Sequence, residues 1–177
     1  MAEFAYKNLI AAIPDYPKPG VIFRDITPLL DCEEAFRAAV VAMAEPFRQA
    51  GITKVMGTES RGFMFGTPIA FALHAGFVPA RKPGKLPRQV ISQEYDLEYG
   101  TDRLEIHTDA LTPDDVVLIV DDLIATGGTA KASGLLVQQC GARLAGMTFL
   151  NELPALGGRP VLEAAFPDAL IHAVMEF

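Results

Sequence analysis

The chain has no tryptophan, three histidines and two cysteines among its 177 residues, and its 15 basic residues are outnumbered by 22 acidic ones. Each shortage argues against a class of function. Cys32 and Cys140 stand alone, without CxxC spacing or a Cys/His cluster, so they read as free thiols in a reducing compartment rather than as a disulfide or a zinc site. His74, His107 and His172 lack partners at any catalytic spacing and are assigned to structure. A formal charge of −7 opposes non-specific nucleic-acid binding, which needs many lysines and arginines to neutralise phosphates. No apolar run approaches the roughly 18 residues of a membrane span. The stretch MAEFAYKNLI carries an acid, Glu3, where a signal peptide would be basic. A cytoplasmic protein with no nucleic-acid or membrane partner is expected.

Half of the residues are hydrophobic, sufficient for one substantial core. With no repeat, low-complexity tract or long linker, residues 1–177 are read as a single domain. A short amphipathic helix is expected over 6–13, stopped by Pro14, with PDYPKPG as an extended connector. A second helix over 33–49 should be kinked or shortened by Pro46. A strand near 54–56, a turn over 57–62, a helix near 65–73 and a strand around 77–80 follow, a βαβ rhythm. Residues 89–107 break it and predict a projecting hairpin. A strand over 116–120, a helix to about 140 and a strand over 144–150 restore the pattern. A short helix near 161–165 and a strand near 169–174 are expected last.

The run VVLIVDDLIATGGTAKA carries the chemistry. Val116 to Val120 form a continuous, mostly β-branched apolar stretch, suited to a parallel strand covered on both faces. Asp121 and Asp122 should emerge at its carboxyl end, where open α/β sheets face their ligand crevice, so they point to sugar hydroxyls or a metal rather than to packing. In Thr126-Gly127-Gly128-Thr129, glycines let backbone N–H groups close around a phosphate, threonines add hydroxyls, and the helix start adds its positive end. Together these describe a site for a sugar carrying phosphate. No lysine follows the second glycine, and the GxGxxG spacing is absent, so neither common nucleotide loop applies. In an acidic chain, Arg81, Lys82, Lys85 and Arg88, around the Pro83-Gly84 turn, form the local basic cluster that an anionic ligand requires.

This constellation resembles the signature of type I phosphoribosyltransferases. The resemblance implies that Ala125, Thr126, Gly127, Gly128 and Thr129 hold the 5′-phosphate of phosphoribosyl pyrophosphate. Asp121 and Asp122 would hold the ribose hydroxyls and, directly or through water, a magnesium ion (Mg2+) that neutralises the pyrophosphate. GTESRGFMFG, residues 57–66, closely resembles the pyrophosphate loop of adenine phosphoribosyltransferases, in which the Glu59–Ser60 peptide is expected in cis. Glu59, Ser60 and Arg61, with Arg81, Lys82 and Lys85, would meet the pyrophosphate. PKPGVIFRDITPLL, residues 17–30, narrows the resemblance to that family. Adenine presents an acceptor at N1 beside a donor at N6, and a main-chain N–H and C=O around Val21, Ile22, Phe23 and Arg24 would read it, with Phe23 as the stacking face. Leu153 would complete the base pocket, beside Glu152.

LEYGTD matches the mobile lid of the same family. Glu98 would be the proton acceptor for adenine and Tyr99 would close the site, so Glu98, Tyr99 and Arg61 are the candidate catalytic residues. The fold implied is α/β, with a mostly parallel central sheet flanked by helices, a flexible hairpin lid, and a small hood drawn from about 1–30 and 151–177. The implied reaction makes AMP and pyrophosphate from adenine and phosphoribosyl pyrophosphate, in purine salvage, by a homodimer. Two rivals remain: a transferase for xanthine or guanine, disfavoured by the charge-free reader in VIFRD, and a non-catalytic regulator that senses phosphoribosyl pyrophosphate, disfavoured by the lack of a basic face.

Overall fold

The computed structural model describes residues 4–96 and 100–177. Ahead of the main sheet lies a two-stranded antiparallel ribbon, β1 (Ala11–Pro14) with β2 (Ile22–Asp25), then α1 (Thr27–Asp31) and α2 (Glu33–Ala44). The main sheet is built from β3 (Lys54–Thr58), α3 (Arg61–Ala72) and β4 (Gly76–Ala80). A hairpin follows, β5 (Val90–Asp96) with β6 (Thr101–His107). The sheet resumes with β7 (Val116–Ile124), α4 (Gly128–Gln139), β8 (Arg143–Glu152), α5 (Gly158–Ala165) and β9 (Leu170–Glu176). Its five strands are all parallel, in the order β4-β3-β7-β8-β9.

The apolar run of β7 serves two cores, as a strand covered on both faces must. Val117 and Ile119 pack with α4, α5 and the β5–β6 hairpin, through Leu136, Leu162 and Leu104 among others. Leu118 and Val120 pack on the opposite face with α1, α2 and α3, through Leu29, Met43 and Phe65. Because β4 lies to one side of β3 while β7, β8 and β9 lie to the other, the strand order reverses between β3 and β7. The carboxyl ends of those two strands are where such a sheet opens a crevice.

Three expectations need correction. Residues 6–13 form only a 3₁₀ turn over Lys7–Leu9 and then strand β1. Pro14 disfavours helical geometry at Ile13, and pairing with β2 takes the segment instead. The helix from Glu33 is shortened at Pro46 as expected: it stops at Ala44 and tightens to a 3₁₀ turn over Glu45–Phe47, because Pro46 has no N–H to continue it. Helix α3 begins at Arg61, so Gly62 is helical rather than part of a turn. Of the residues expected in a hood, 11–25 do form a separate ribbon, whereas Leu170–Glu176 are the edge strand of the main sheet.

Candidate active site

Asp121 and Asp122 lie within β7, not past its end. The strand continues to Ile124 because β8 accompanies it, Asp121 facing Phe149 and Ile124 facing Glu152. On the other side, pairing with β3 stops at Gly57 opposite Val120. The two carboxylates therefore occupy the stretch where β7 has lost one neighbour. A cleft of about 480 Å³ opens there, lined by Glu59, Ser60, Arg61, Lys82, Tyr95 and residues 121–130.

At one end of the cleft the chain turns from β7 into α4. Gly127 takes φ +84°, a left-handed conformation suited to glycine, and Lys131 N–H bonds its carbonyl at 2.8 Å, so the helix starts directly from the turn. The free N–H groups of the first helical turn, together with Thr126 and Thr129, make this end attractive to an anion. The turn is backed by a residue that sequence reasoning did not assign. A Cβ on Gly158 would stand 2.4 Å from Ala125 O and 2.8 Å from Gly127 N, so the first residue of α5 touches the loop backbone directly. Arg159 fixes that helix by an ion pair with buried Glu152 and a 2.8 Å hydrogen bond to Ile171 O. The consecutive glycines at 157 and 158 were the available signal.

In the middle of the cleft, burial and the adjacent charge of Asp122 hold the Asp121 carboxyl well above the usual carboxylate range. Burial also raises Asp122, against the pull of Arg61, whose Nε lies 2.9 Å from Asp122 Oδ2. Helix α3 comes close because residue 62 is glycine: a Cβ there would stand 2.6 Å from Val120 O.

At the far end, the peptide from Glu59 to Ser60 is cis. Glu59 accepts a two-point contact from Arg81, at 3.2 and 3.1 Å, and the Lys82 backbone N–H at 2.9 Å. The Arg81 hydrogen bond, aided by that N–H, lowers the Glu59 carboxyl. Lys82 Nζ bonds Asp102 and lies 3.2 Å from Tyr95 Oη. Burial works against its charge, but the bonds to Asp102 and Tyr95 outweigh that and raise it. Lys85 is exposed and does not line the cleft, and Arg88 pairs with Asp109. The basic cluster is thus divided: Lys82 lines the cleft, Arg81 braces the Glu59 that does, and each is already held by a carboxylate.

Among the described residues none of the ribbon lines the cleft, but the ribbon touches Arg61, which does. The Arg61 guanidinium lies 5.2 Å from the centre of the Phe23 ring, which meets Tyr16 edge-on. Strand β2 pairs only with β1, so one edge of its backbone has no strand partner among the described residues. Arg24 turns away and lies over the Phe177 ring, 4.4 Å from its centre. Val21 is half-buried and Ile22 exposed. Leu153 does not line the cleft but donates its N–H to Ile124 O at 2.9 Å, which places it at the foot of the phosphate turn. Glu98 and Tyr99 lie outside the described residues.

The chain that builds this cleft, with its anion-attracting turn, acidic pair and cis turn opposite, is similar to known proteins. The model of the phosphoribosyl transferase domain family matches residues 27–154. An adenine phosphoribosyltransferase of Aeromonas salmonicida is 58% identical over 156 residues, 88% of this chain and 86% of that one. The chain belongs to the adenine phosphoribosyltransferases. Solved members of the family have the same fold. The crystal structure of the Rhodothermus marinus adenine phosphoribosyltransferase, 50% identical, superposes with a TM-score of 0.91 over 97% of this chain and 96% of that one. That of Saccharomyces cerevisiae, 39% identical, gives 0.87 over 95% of each and is complexed with D-2,5-dideoxy-2,5-imino-altritol 1,6-bisphosphate and adenine.

Proposed function

We propose that this chain transfers the phosphoribosyl group of phosphoribosyl pyrophosphate to N9 of adenine, giving AMP and pyrophosphate. The observation that carries the reading is the meeting, in one cleft, of the Ala125–Thr129 turn, the Asp121–Asp122 pair and the cis Glu59–Ser60 turn. The turn at Ala125, Thr126, Gly127, Gly128 and Thr129 takes the 5′-phosphate through backbone N–H groups and hydroxyls. Asp121 and Asp122 accept hydrogen bonds from the ribose hydroxyls. Glu59 orients the basic turn, while Ser60, Arg61, Arg81, Lys82 and, from the rim, Lys85 meet the pyrophosphate. The unpaired edge of β2 reads N1 and N6 of adenine at Val21 to Arg24, Phe23 stacks on the ring, and Leu153 closes the pocket from below.

In the reaction the bond from the anomeric carbon to pyrophosphate breaks, positive charge develops on the ribosyl centre, and N9 attacks from the opposite face as its proton leaves. Arg61 and Lys82 counter charge on the departing group, and the acidic pair faces the developing cation. Glu98 takes the proton and Tyr99 helps exclude water, a reading that rests on the LEYGTD resemblance. Magnesium characteristically keeps several waters and binds one or two carboxylates with substrate phosphates. Two adjacent carboxylates, one raised by burial and by the other's charge, fit that demand, so Asp121 and Asp122 would hold an ion that, when bound, offsets the charge of the pyrophosphate. The working form is a cytoplasmic homodimer. Met64 and the exposed Phe71, seven residues apart on α3, offer an apolar face for the partner copy.

Steady-state kinetics with phosphoribosyl pyrophosphate and adenine, hypoxanthine, guanine or xanthine tests the reading. Adenine is preferred by a wide margin, because an oxo group at position 6 would leave the main-chain carbonyl facing another acceptor. Equal turnover of an oxo-purine would overturn the assignment of β2. Binding of phosphoribosyl pyrophosphate without turnover of any base would favour the sensor.

A further inference from the structure

Lys82, Tyr95 and Asp102 form a closed triangle at the border of the cleft. Lys82 Nζ bonds Asp102 Oδ2 and stands 3.2 Å from Tyr95 Oη, which lies 3.1 Å from the same Oδ2. The other carboxylate oxygen accepts the Arg103 N–H at 2.7 Å. Lys82 and Tyr95 line the cleft together with the phosphate turn, whereas Asp102 does not. The ammonium is thus held by a carboxylate that does not itself line the cleft. The neighbouring pair differs: Glu59 also holds the Lys82 backbone N–H, and Arg81 also bonds Lys85 O at 3.3 Å, so that pair braces the turn itself. Lys82, on a flexible four-carbon stem, is the base free to change partners.

We infer that Asp102 is an internal competitor for pyrophosphate: it holds Lys82 when the cleft is empty and must yield it when a pyrophosphate-bearing ligand arrives. The inference rests on the reading that Lys82 meets pyrophosphate. An arriving pyrophosphate either draws the ammonium off Asp102 or shares it and sits beside a like charge. Both routes weaken binding, and both favour departure of pyrophosphate after the bond to ribose has broken. A ligand with only a 5′-phosphate, held at the opposite end, does not take part in the exchange. Asp102 is therefore a positioning residue that sets the balance between capture of substrate and release of one product.

The test is Asp102→Asn, which keeps the shape and the hydrogen bond to Tyr95 but removes the charge. Calorimetric titration of wild type and variant with pyrophosphate, phosphoribosyl pyrophosphate and AMP reads the exchange. The first two should bind about fivefold more tightly, the scale of a half-exposed ion pair, with AMP unchanged. Pyrophosphate release, followed by stopped flow, should slow by a similar factor. Asp102→Ala gives the same direction without the hydrogen bond and serves should the first variant fold poorly. Unchanged or weaker pyrophosphate binding in both variants would overturn the inference. Lys82→Met separates this from the parent reading. If it binds pyrophosphate as wild type does, the placement of Lys82 at the pyrophosphate is wrong; if it binds weakly while the Asp102 variants do not tighten, only the competition fails.

Discussion

Gly158→Ala should damage phosphate binding from behind the phosphate turn, without touching the ligand. The new Cβ would stand 2.4 Å from Ala125 O, 2.7 Å from Ile124 Cγ2 and 2.8 Å from Gly127 N. A carbon near a carbonyl oxygen rests at about 3.3–3.6 Å, so the two backbones must part by roughly 1 Å. Helix α5 is poorly placed to give way. Leu162 and Phe166 are buried in the core, and Arg159 is tied to Glu152 and Ile171 O. The turn at 125–127 therefore moves. Overpacking of this kind costs about 2 kcal/mol, or about 4–8 °C in Tm for a domain of this size. A 1 Å misplacement of binding groups can lower turnover by about 100-fold. Melting curves and AMP titration should show both losses, with AMP affinity falling at least several-fold. Gly157→Ala is the control. Gly157 has φ +70° and nothing within 4 Å of its Cβ, so the substitution strains the backbone by about 1–2 kcal/mol but displaces no loop. Wild-type AMP affinity in Gly158→Ala, or an equal loss in Gly157→Ala, would refute the argument.

Asp121→Asn should raise the Tm of the ligand-free protein while depressing turnover. The folded state raises this carboxyl, so its contribution to stability is fully present below the ordinary carboxylate range and is lost as pH climbs through the raised value. The gain of the variant should consequently be largest near neutral pH and vanish in acid. Glu59 and Asp102 are lowered, so their contributions run the other way: present near neutrality, lost on acidification. Phe23→Ala should raise the KM for adenine about tenfold, the scale of one stacked base, and leave that for phosphoribosyl pyrophosphate nearly unchanged; steady-state kinetics with each substrate varied would show the split. Chelation should abolish turnover, with recovery on adding magnesium, whereas AMP binding by titration should survive, since backbone N–H groups and threonine hydroxyls hold the 5′-phosphate without a metal.

The residues that announced themselves in the sequence were those whose chemistry is local. A β-branched run, two acids, two glycines and a helix start follow one another along fourteen positions, and every residue from Asp121 to Thr129 lines the cleft. The parallel sheet and the hairpin were likewise legible, because hydrophobic period and turn residues act over short distances. What could not be read was decided between distant segments. The extension of β7 through Asp121 and Asp122 depends on β8, and the strand at 11–14 depends on β2. Gly158 meets Ala125 across more than thirty residues, and Asp102 meets Lys82 across twenty. The basic cluster looked like uncommitted positive charge for the same reason: its acidic partners, Glu59, Asp102 and Asp109, are remote in the chain.

Those pairings alter how an acidic chain can receive a polyanion. Arg61 and Lys82, which line the cleft, and Arg81 beside it are matched in turn by Asp122, Asp102 and Glu59. The empty site therefore carries little excess positive charge, and its long side chains are held in place before any ligand arrives, which reduces the ordering cost on binding. The balancing acids also remove part of the electrostatic gain, so affinity has to come from exchange of partners. Exchange is easiest where the base is flexible and its acid is held by other donors, as with Lys82 and Asp102. It is hardest where the acid also braces the backbone, as Glu59 does. A monophosphate at the α4 end needs no exchange at all. The site can then distinguish the two ends of its substrate by what each must displace: the 5′-phosphate docks on backbone N–H groups already in position, and the pyrophosphate enters by replacing a carboxylate that takes the base back when it leaves.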